Sequence, residues 1–308
     1  MKIFISGSTG LVGSALVDHF SQQGHTITRL VRAGTKRPRQ VAGLRELPQV
    51  AWNPQSGLLN SRVADVDAVL HLAGASIAGH RWTPAWKREL RESRVTATRN
   101  LVASLGQLHR PPQVFIAASA IGYYGNRGDE ELTEASTPGD DFLAQLTVHW
   151  EAEAARASEF GARVVILRFG IILARQAGAL PRIALPFCLG FGGKIGPGRQ
   201  WMSWVALEDV VGIVVFALEA NLLSGPVNAV SPNPVRNSEF SSTLGRVLHR
   251  PAIFPTPAFG LRLALGEMAD ALLLASQRVS PQKLQNLGYR FLYTDLEKAL
   301  TAVWKRLR

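Results

Sequence analysis

Short apolar runs bounded by glycine or polar turns recur along the first half of the chain. They read KIFIS (2–6), HTITRLVR (25–32), VDAVLHLAG (66–74), QVFIAAS (113–119) and ARVVILRFG (162–170). Runs this short and this apolar predict strands buried on both faces of a parallel sheet. Between them the spacing turns helical. SALVDHFSQQG (14–24) places apolar residues three and four apart and stops at Gly24. Further helices are predicted over 87–105 and over 142–154, FLAQLTVHWEAEA. Strands alternating with helices imply right-handed crossovers and a doubly wound α/β architecture with a parallel sheet. After residue 170 the alternation weakens. GPVNAV (225–230) predicts a returning edge strand, while 237–250, 260–276 and a last stretch ending at Trp304 predict helices. The expected organisation is a sheet domain over 1–170, completed by 225–230, and a smaller C-terminal lobe over 171–308.

Composition narrows the picture. The 308 residues are 46% hydrophobic, enough for a full core. The single cysteine, Cys188, excludes a disulfide within the chain and a multi-cysteine zinc site, and no metal is expected. Lying in LPFCLGF, Cys188 is expected to be packed. No stretch reaches the roughly twenty apolar residues of a membrane span, and the first apolar run breaks at Gly7. The cytoplasm is the expected location, with no membrane partner. The net charge of +11 would suit nucleic acid. Yet the basic residues are scattered, with modest clusters at Arg29–Arg39 and Lys305–Arg308 and no aromatic–basic motif. This argues against nucleic acid, and a basic cleft for a polyphosphate fits better.

Such a cleft has a candidate. Between KIFIS and the first helix stands GSTGLVG, with Gly7, Gly10 and Gly13 in the order strand, turn, helix. Gly7 permits the tight turn, Gly10 lets the backbone approach a pyrophosphate, and Gly13 allows close packing of the helix. The helix start then offers free N–H groups to phosphate. Ser8, Thr9, Leu11 and Val12 complete the loop. An acid at the end of the second strand would bind the ribose 2′-hydroxyl of NAD. This strand ends Leu30-Val31-Arg32, with Lys36 and Arg37 soon after and no acid. Arg32 suits a 2′-phosphate, so NADP is favoured over NAD. Leu72, Ala73 and Gly74 would let the central riboses lie against the backbone. These positions, and Ser119, all fall at strand carboxyl ends, the ligand-binding edge of a Rossmann sheet.

GSTGLVG, HLAG, RVTATRNL, SAIGYYG and LRFG together resemble the extended short-chain dehydrogenases/reductases. GPGRQWMSWVALEDV (196–210), NAVSPNPVRNSEF (228–240) and GEMADALLLASQRVSPQKLQNLGYRF (266–291) narrow the likeness. They are similar to an atypical epimerase-like family labelled nucleoside-diphosphate-sugar epimerase or cell-division-inhibitor-like. The resemblance spans the chain. It implies an NADP-dependent oxidoreductase or epimerase-like protein acting on a small polar, sugar- or nucleotide-like substrate. The alternative is a non-catalytic NADP-binding sensor or interaction protein.

The resemblance also implies a Ser/Thr, Tyr and Lys set, with tyrosine and lysine four apart on one helix. None of Tyr123, Tyr124, Tyr289 and Tyr293 has lysine four positions later. If Glu151 matches the acid usual on the third helix, Leu143 and Thr147 stand where Tyr and Lys belong. Ser119 matches the serine only if its loop holds one extra residue, and otherwise reads as a loop hydroxyl. The catalytic residues are therefore unassigned, with Ser119, Tyr123 and Tyr124 as candidates. His149 reads as structural. Arg94 stands where a polar helix residue would order the cofactor site. For substrate, Lys194, Arg199 and Gln200 suit an anionic or hydroxylated group, while Trp201 and Trp204 either stack on a ring or pack. Asp209 begins a helix and suits its dipole. Ala206 stands where the likeness would place histidine. Extended relatives often dimerise through helices corresponding to 88–106 and 142–158, so a homodimer is compatible with the sequence.

Overall fold

The computed structural model describes residues 1–32, 47–58 and 65–305. Its strands are β1 (Lys2–Ser6), β2 (Thr26–Arg32), β3 (Gln49–Asn53), β4 (Gly57–Leu58), β5 (Ala68–His71), β6 (Val114–Ala120), β7 (Glu131–Leu132), β8 (Arg163–Phe169), β9 (Ile171–Leu173), β10 (Trp201–Met202), β11 (Trp204–Ala206), β12 (Gly225–Ala229), β13 (Val235–Arg236) and β14 (Arg278–Val279). The main sheet has the order β12-β8-β6-β5-β1-β2-β3-β4. Seven strands run parallel, as buried apolar strands joined by helices demand, and β4 turns back antiparallel on β3. This is the doubly wound Rossmann-type α/β fold. Sequence order reverses from β1, with β2 on one side and β5 on the other. Such a switch point leaves a crevice beyond the strand carboxyl ends.

The chain forms two compact units, each drawn from several stretches. The first comprises Met1–Ser119, Leu146–Leu167 and Val211–Pro226, and the second comprises Ala120–Gln145, Arg168–Val210 and Val227–Arg308. The core of the first unit includes Phe4, Leu30, Val69, Leu101, Phe115 and Ile166, all buried. Each such side chain contributes about 1.5–3 kcal/mol on burial. The helices α1 (Leu11–Gln22), α2 (Pro84–Arg91) and α3 (Ala97–Gly106) belong to this unit. A π-helical turn, Glu92–Thr96, joins α2 to α3 without a break. Thr83 caps α2 by accepting the Trp86 N–H at 3.2 Å. The helix α4 (Phe142–Ala155) matches the predicted 142–154 closely.

The second unit packs Leu173, Phe187, Trp204, Phe240, Leu244 and Leu300. Its helices α5 (Leu180–Cys188), α6 (Leu207–Glu219, shared with the first unit), α7 (Asn237–Leu248) and α8 (Ala258–Leu265) are followed by a final helix over 296–305. Cys188 is exposed, contrary to the packing expected from its apolar neighbours. The reason is helical phase: α5 buries Leu180, Ala184 and Phe187, and Cys188 falls off that stripe.

Asp209 lies in the first turn of α6, as its dipole reading required, but it does more. Its carboxylate accepts the backbone N–H of Leu292 at 2.7 Å and of Tyr293 at 3.0 Å. The two bonds tie residues 292–293 to the start of α6. Burial raises the Asp209 pKa, and the two N–H groups oppose that shift. Asp209→Ala leaves both donors without their acceptor. A loss of roughly 1–3 kcal/mol is expected, read as a lower urea midpoint. An unchanged midpoint would show that the tie contributes nothing.

Candidate functional site

The loop between β1 and α1 is built by three glycines with distinct tasks. Gly7 has φ +70°, and a Cβ there would stand 2.8 Å from the carbonyl carbon of Leu72. Its own carbonyl accepts the Gly10 N–H at 2.9 Å and closes the turn. A Cβ on Gly13 would stand 2.2 Å from the Gly7 oxygen, so α1 is packed directly on the loop. Gly10 differs. A Cβ there would meet only the Gly7 oxygen, at 3.2 Å, and space lies beyond it. No side chain caps α1, and its first backbone bond runs from Ser14 N–H to Gly10 C=O. Among the described residues, the N–H groups of Leu11, Val12 and Gly13 thus have no acceptor. Unclaimed N–H groups at the positive end of a helix dipole make an anion cradle. The residues present fit a dinucleotide pyrophosphate.

Ser8 is buried, and its Oγ accepts from Arg29 Nε at 3.0 Å. Arg29 itself is 2% exposed. This guanidinium braces the phosphate loop from within β2, a role that sequence reasoning missed. The available signal was a basic residue in the middle of an otherwise apolar strand. Arg32 closes β2 and is exposed, where a strand-end group can meet a ligand. Lys36 and Arg37 lie outside the described residues.

Beneath the cradle runs a buried polar network. Ser6 Oγ accepts the N–H groups of Leu72 and Ala73, at 3.1 and 3.3 Å, and lies 2.7 Å from His71 Nδ1. With two donors already on Ser6, its own proton goes to Nδ1. His71 is then the neutral Nε2–H tautomer, donating to Thr98 Oγ1 at 3.0 Å. Trp150 Nε1 donates to the same oxygen at 3.0 Å. Complete burial lowers the His71 pKa to about 4. The network fixes the β1 and β5 ends against α3 and α4, so Leu72, Ala73 and Gly74 are held in place.

Arg94 sits on the π-helical turn, a distortion often found where a helix serves a site. Its Nη2 donates to Ala75 C=O at 2.9 Å, and its guanidinium lies 5.3 Å over the Trp150 ring. A Cβ on Gly74 would stand 3.3 Å from its Cζ. Nη1 is buried and has no hydrogen-bond partner among the described residues. Burial lowers the Arg94 pKa to about 10, so the group stays charged at neutral pH. A buried guanidinium nitrogen without an acceptor is unfavourable, and this one lies beside the turn that follows β5.

Two of the catalytic candidates, Ser119 and Tyr124, have their hydroxyls hydrogen-bonded within the protein. Ser119 Oγ donates to Glu151 Oε1 at 2.6 Å, with both residues buried. That bond docks β6 on α4. In the second unit Tyr124 is fully buried, with its hydroxyl 2.6 Å from Asn228 Oδ1 and 3.0 Å from Thr133 O. It also accepts from Arg168 Nη1 at 3.0 Å. Burial, against the opposing pull of Arg168, pushes its pKa up to about 12. Tyr123 lies with the Arg168 guanidinium 3.4 Å over its ring. Leu143 and Thr147 are buried on α4, and His149 is exposed there.

Among the substrate candidates, Lys194 and Arg199 are exposed, and neither side chain has a partner among the described residues. Trp204 packs in the core and donates to Asn233 C=O at 3.0 Å. Trp201 is covered: the guanidinium groups of Arg236 and Arg278 lie 4.1 and 5.1 Å from its ring, and Nε1 donates to Asp129 at 3.0 Å.

Known proteins place this geometry. The profile of the NAD dependent epimerase/dehydratase family matches residues 3–229, and a domain of unknown function, DUF1731, matches 256–303. An epimerase family protein of Mycobacterium tuberculosis is 42% identical over 299 residues, 97% of this chain and 96% of its own. The epimerase family protein YfhF of Bacillus subtilis is 37% identical over 302 residues, 98% and 97% of the two chains. The crystal structure of human epimerase family protein SDR39U1, isoform 2, with NADPH matches at TM-score 0.88 and 31% identity, covering 100% of both chains. No helix among the described residues is long and apolar enough to cross a membrane. With a family profile matched over residues 3–229 and relatives 37 and 42% identical along nearly their whole lengths, the chain belongs to the NAD dependent epimerase/dehydratase family.

Proposed function

We propose that the chain is an NADP(H)-dependent oxidoreductase or epimerase-like enzyme for a small polar, sugar- or nucleotide-like substrate. It works without the Tyr–Lys pair. The observation that carries this reading is the uncapped start of α1 over an open Gly10. The human relative with NADPH supports the choice of nicotinamide cofactor. When bound, the nicotinamide supplies hydride transfer. The chain supplies binding and orientation: N–H groups of Leu11, Val12 and Gly13 for the pyrophosphate, Arg32 for the 2′-phosphate, and the Leu72–Gly74 turn for the riboses. Arg94 Nη1 offers one more charge-assisted bond to an oxygen of the ligand.

One observation favours a second reading, a non-catalytic NADP(H) sensor. The hydroxyls of Ser119 and Tyr124 are committed to Glu151 and Asn228. The deciding experiment asks whether purified protein carries NADP(H), and whether that nicotinamide changes redox state with a panel of sugars, sugar nucleotides and carbonyl compounds. Turnover with one compound supports the enzyme. Stable binding with no turnover favours the sensor, and no binding sinks both.

Arg32→Glu tests the cofactor choice. It is expected to weaken NADPH about tenfold or more and leave NADH nearly unchanged, because one charge-assisted phosphate bond is lost and a repulsion gained. Equal losses for the two cofactors would remove the 2′-phosphate from Arg32.

A further inference from the structure

The second unit contains a cavity of about 560 Å³ whose wall includes Asp129, Arg199, Gln200, Arg236, Ser238 and Arg262. Three guanidinium groups there face one carboxylate. Arg236 is paired with Asp129 at 2.7 Å, and Arg262 with Asp270 at 2.9 Å. Arg199 is the unpaired cation of this wall among the described residues, and it is exposed. The positive balance is therefore concentrated on one side chain free to meet an anion.

Gln200 supplies an independent indication. It is 6% exposed, and its Nε2 donates to the carbonyls of Ile195 at 3.2 Å and Leu273 at 3.1 Å. Those two bonds fix which way the amide faces. Its Oε1 is buried and has no donor among the described residues. A buried acceptor left empty is unfavourable, and a hydroxyl is the simplest group that fills it. The exposed hydroxyl of Ser238 stands on the same wall.

The wall has no aromatic residue. The neighbouring Trp201 has its ring under Arg236 and Arg278. A nucleobase would find no free ring on which to stack.

We propose that this cavity binds a small phosphorylated or carboxylated polyol and not a nucleotide, with Arg199 holding the anion and Gln200 Oε1 accepting a hydroxyl. This inference rests on the reading of the chain as acting on a small polar substrate, and it narrows the substrate class.

The test is a calorimetric titration of the full chain with glucose 6-phosphate, gluconate, glucose, inorganic phosphate and UDP. Glucose 6-phosphate or gluconate is expected to bind more tightly than glucose, inorganic phosphate or UDP. Arg199→Gln, an exposed change that leaves the fold intact, is expected to weaken the tighter of the two about tenfold or more, with NADPH affinity unchanged. Tighter UDP binding, glucose 6-phosphate no better than inorganic phosphate with gluconate silent, or no effect of Arg199→Gln would each overturn the assignment. NADPH binding on the same samples separates the two ideas. NADPH bound without either sugar acid sinks the cavity and leaves the cofactor reading intact; a sugar acid bound without NADPH does the reverse.

Discussion

Gly10→Val is expected to weaken NADPH binding by at least about 100-fold while leaving the thermal midpoint within a few degrees of the parent. Gly10 has φ −77° and ψ 174°, an extended conformation open to any residue, so the backbone itself does not resist valine. The new Cβ meets the Gly7 oxygen at 3.2 Å, a tight contact that a small shift relieves. The methyl groups then occupy the approach to the N–H groups of Leu11 and Val12. Losing two charge-assisted hydrogen bonds of about 1.5–2 kcal/mol each gives the stated factor. Gly13→Val is the contrasting variant. Its Cβ would stand 2.2 Å from the Gly7 oxygen, so the loop must move and stability falls together with affinity. Fluorescence titration with NADPH and a thermal melt of both variants check the pair. Parent-like affinity in Gly10→Val would take the start of α1 out of the binding site.

Acid should unfold the first unit through His71. Its folded pKa is about 4, below the ordinary 6.5, because complete burial disfavours the imidazolium. The unfolded chain therefore takes up the proton first as pH falls. The stability contribution is fully present above pH 6.5 and is lost progressively between 6.5 and about 4. Over that window the loss amounts to roughly 3 kcal/mol. Carboxylates add to acid destabilisation generally, so the informative quantity is a difference of slopes. His71→Gln should start less stable at pH 7, yet lose less between pH 7 and pH 5 than the parent, as measured by urea midpoints. Parallel pH profiles would mean that His71 does not titrate in this window.

What could be read in the sequence was what local spacing encodes. The predicted apolar strands are present, with boundaries moved by up to three residues, because burial on both faces leaves an unmistakable run. The phosphate loop was legible because its glycines sit between such a strand and a helix. β3 was missed, since QVAWN is short, only partly buried and flanked by no glycine-rich signal. Partnerships across the fold were invisible. Nothing near Ser119 announces Glu151, and nothing near Tyr124 announces Asn228. Arg29 looked like one more scattered charge until its distance to Ser8 was known. Trp201 was balanced between stacking and packing, and two distant arginines, 236 and 278, decide against a free ring.

The tie between Asp209 and residues 292–293 bears on how the chain is made. Leu296, Ala299 and Leu300 belong to the core of the second unit. That core cannot close until residues 296–300 have been translated and have cleared the exit tunnel. The first unit waits as well, because it draws on residues 211–226. Synthesis from the N-terminus therefore offers this protein little opportunity to fold one unit at a time. A nascent chain arrested before residues 211–226 have left the tunnel should remain sensitive to protease throughout, because neither unit is then complete.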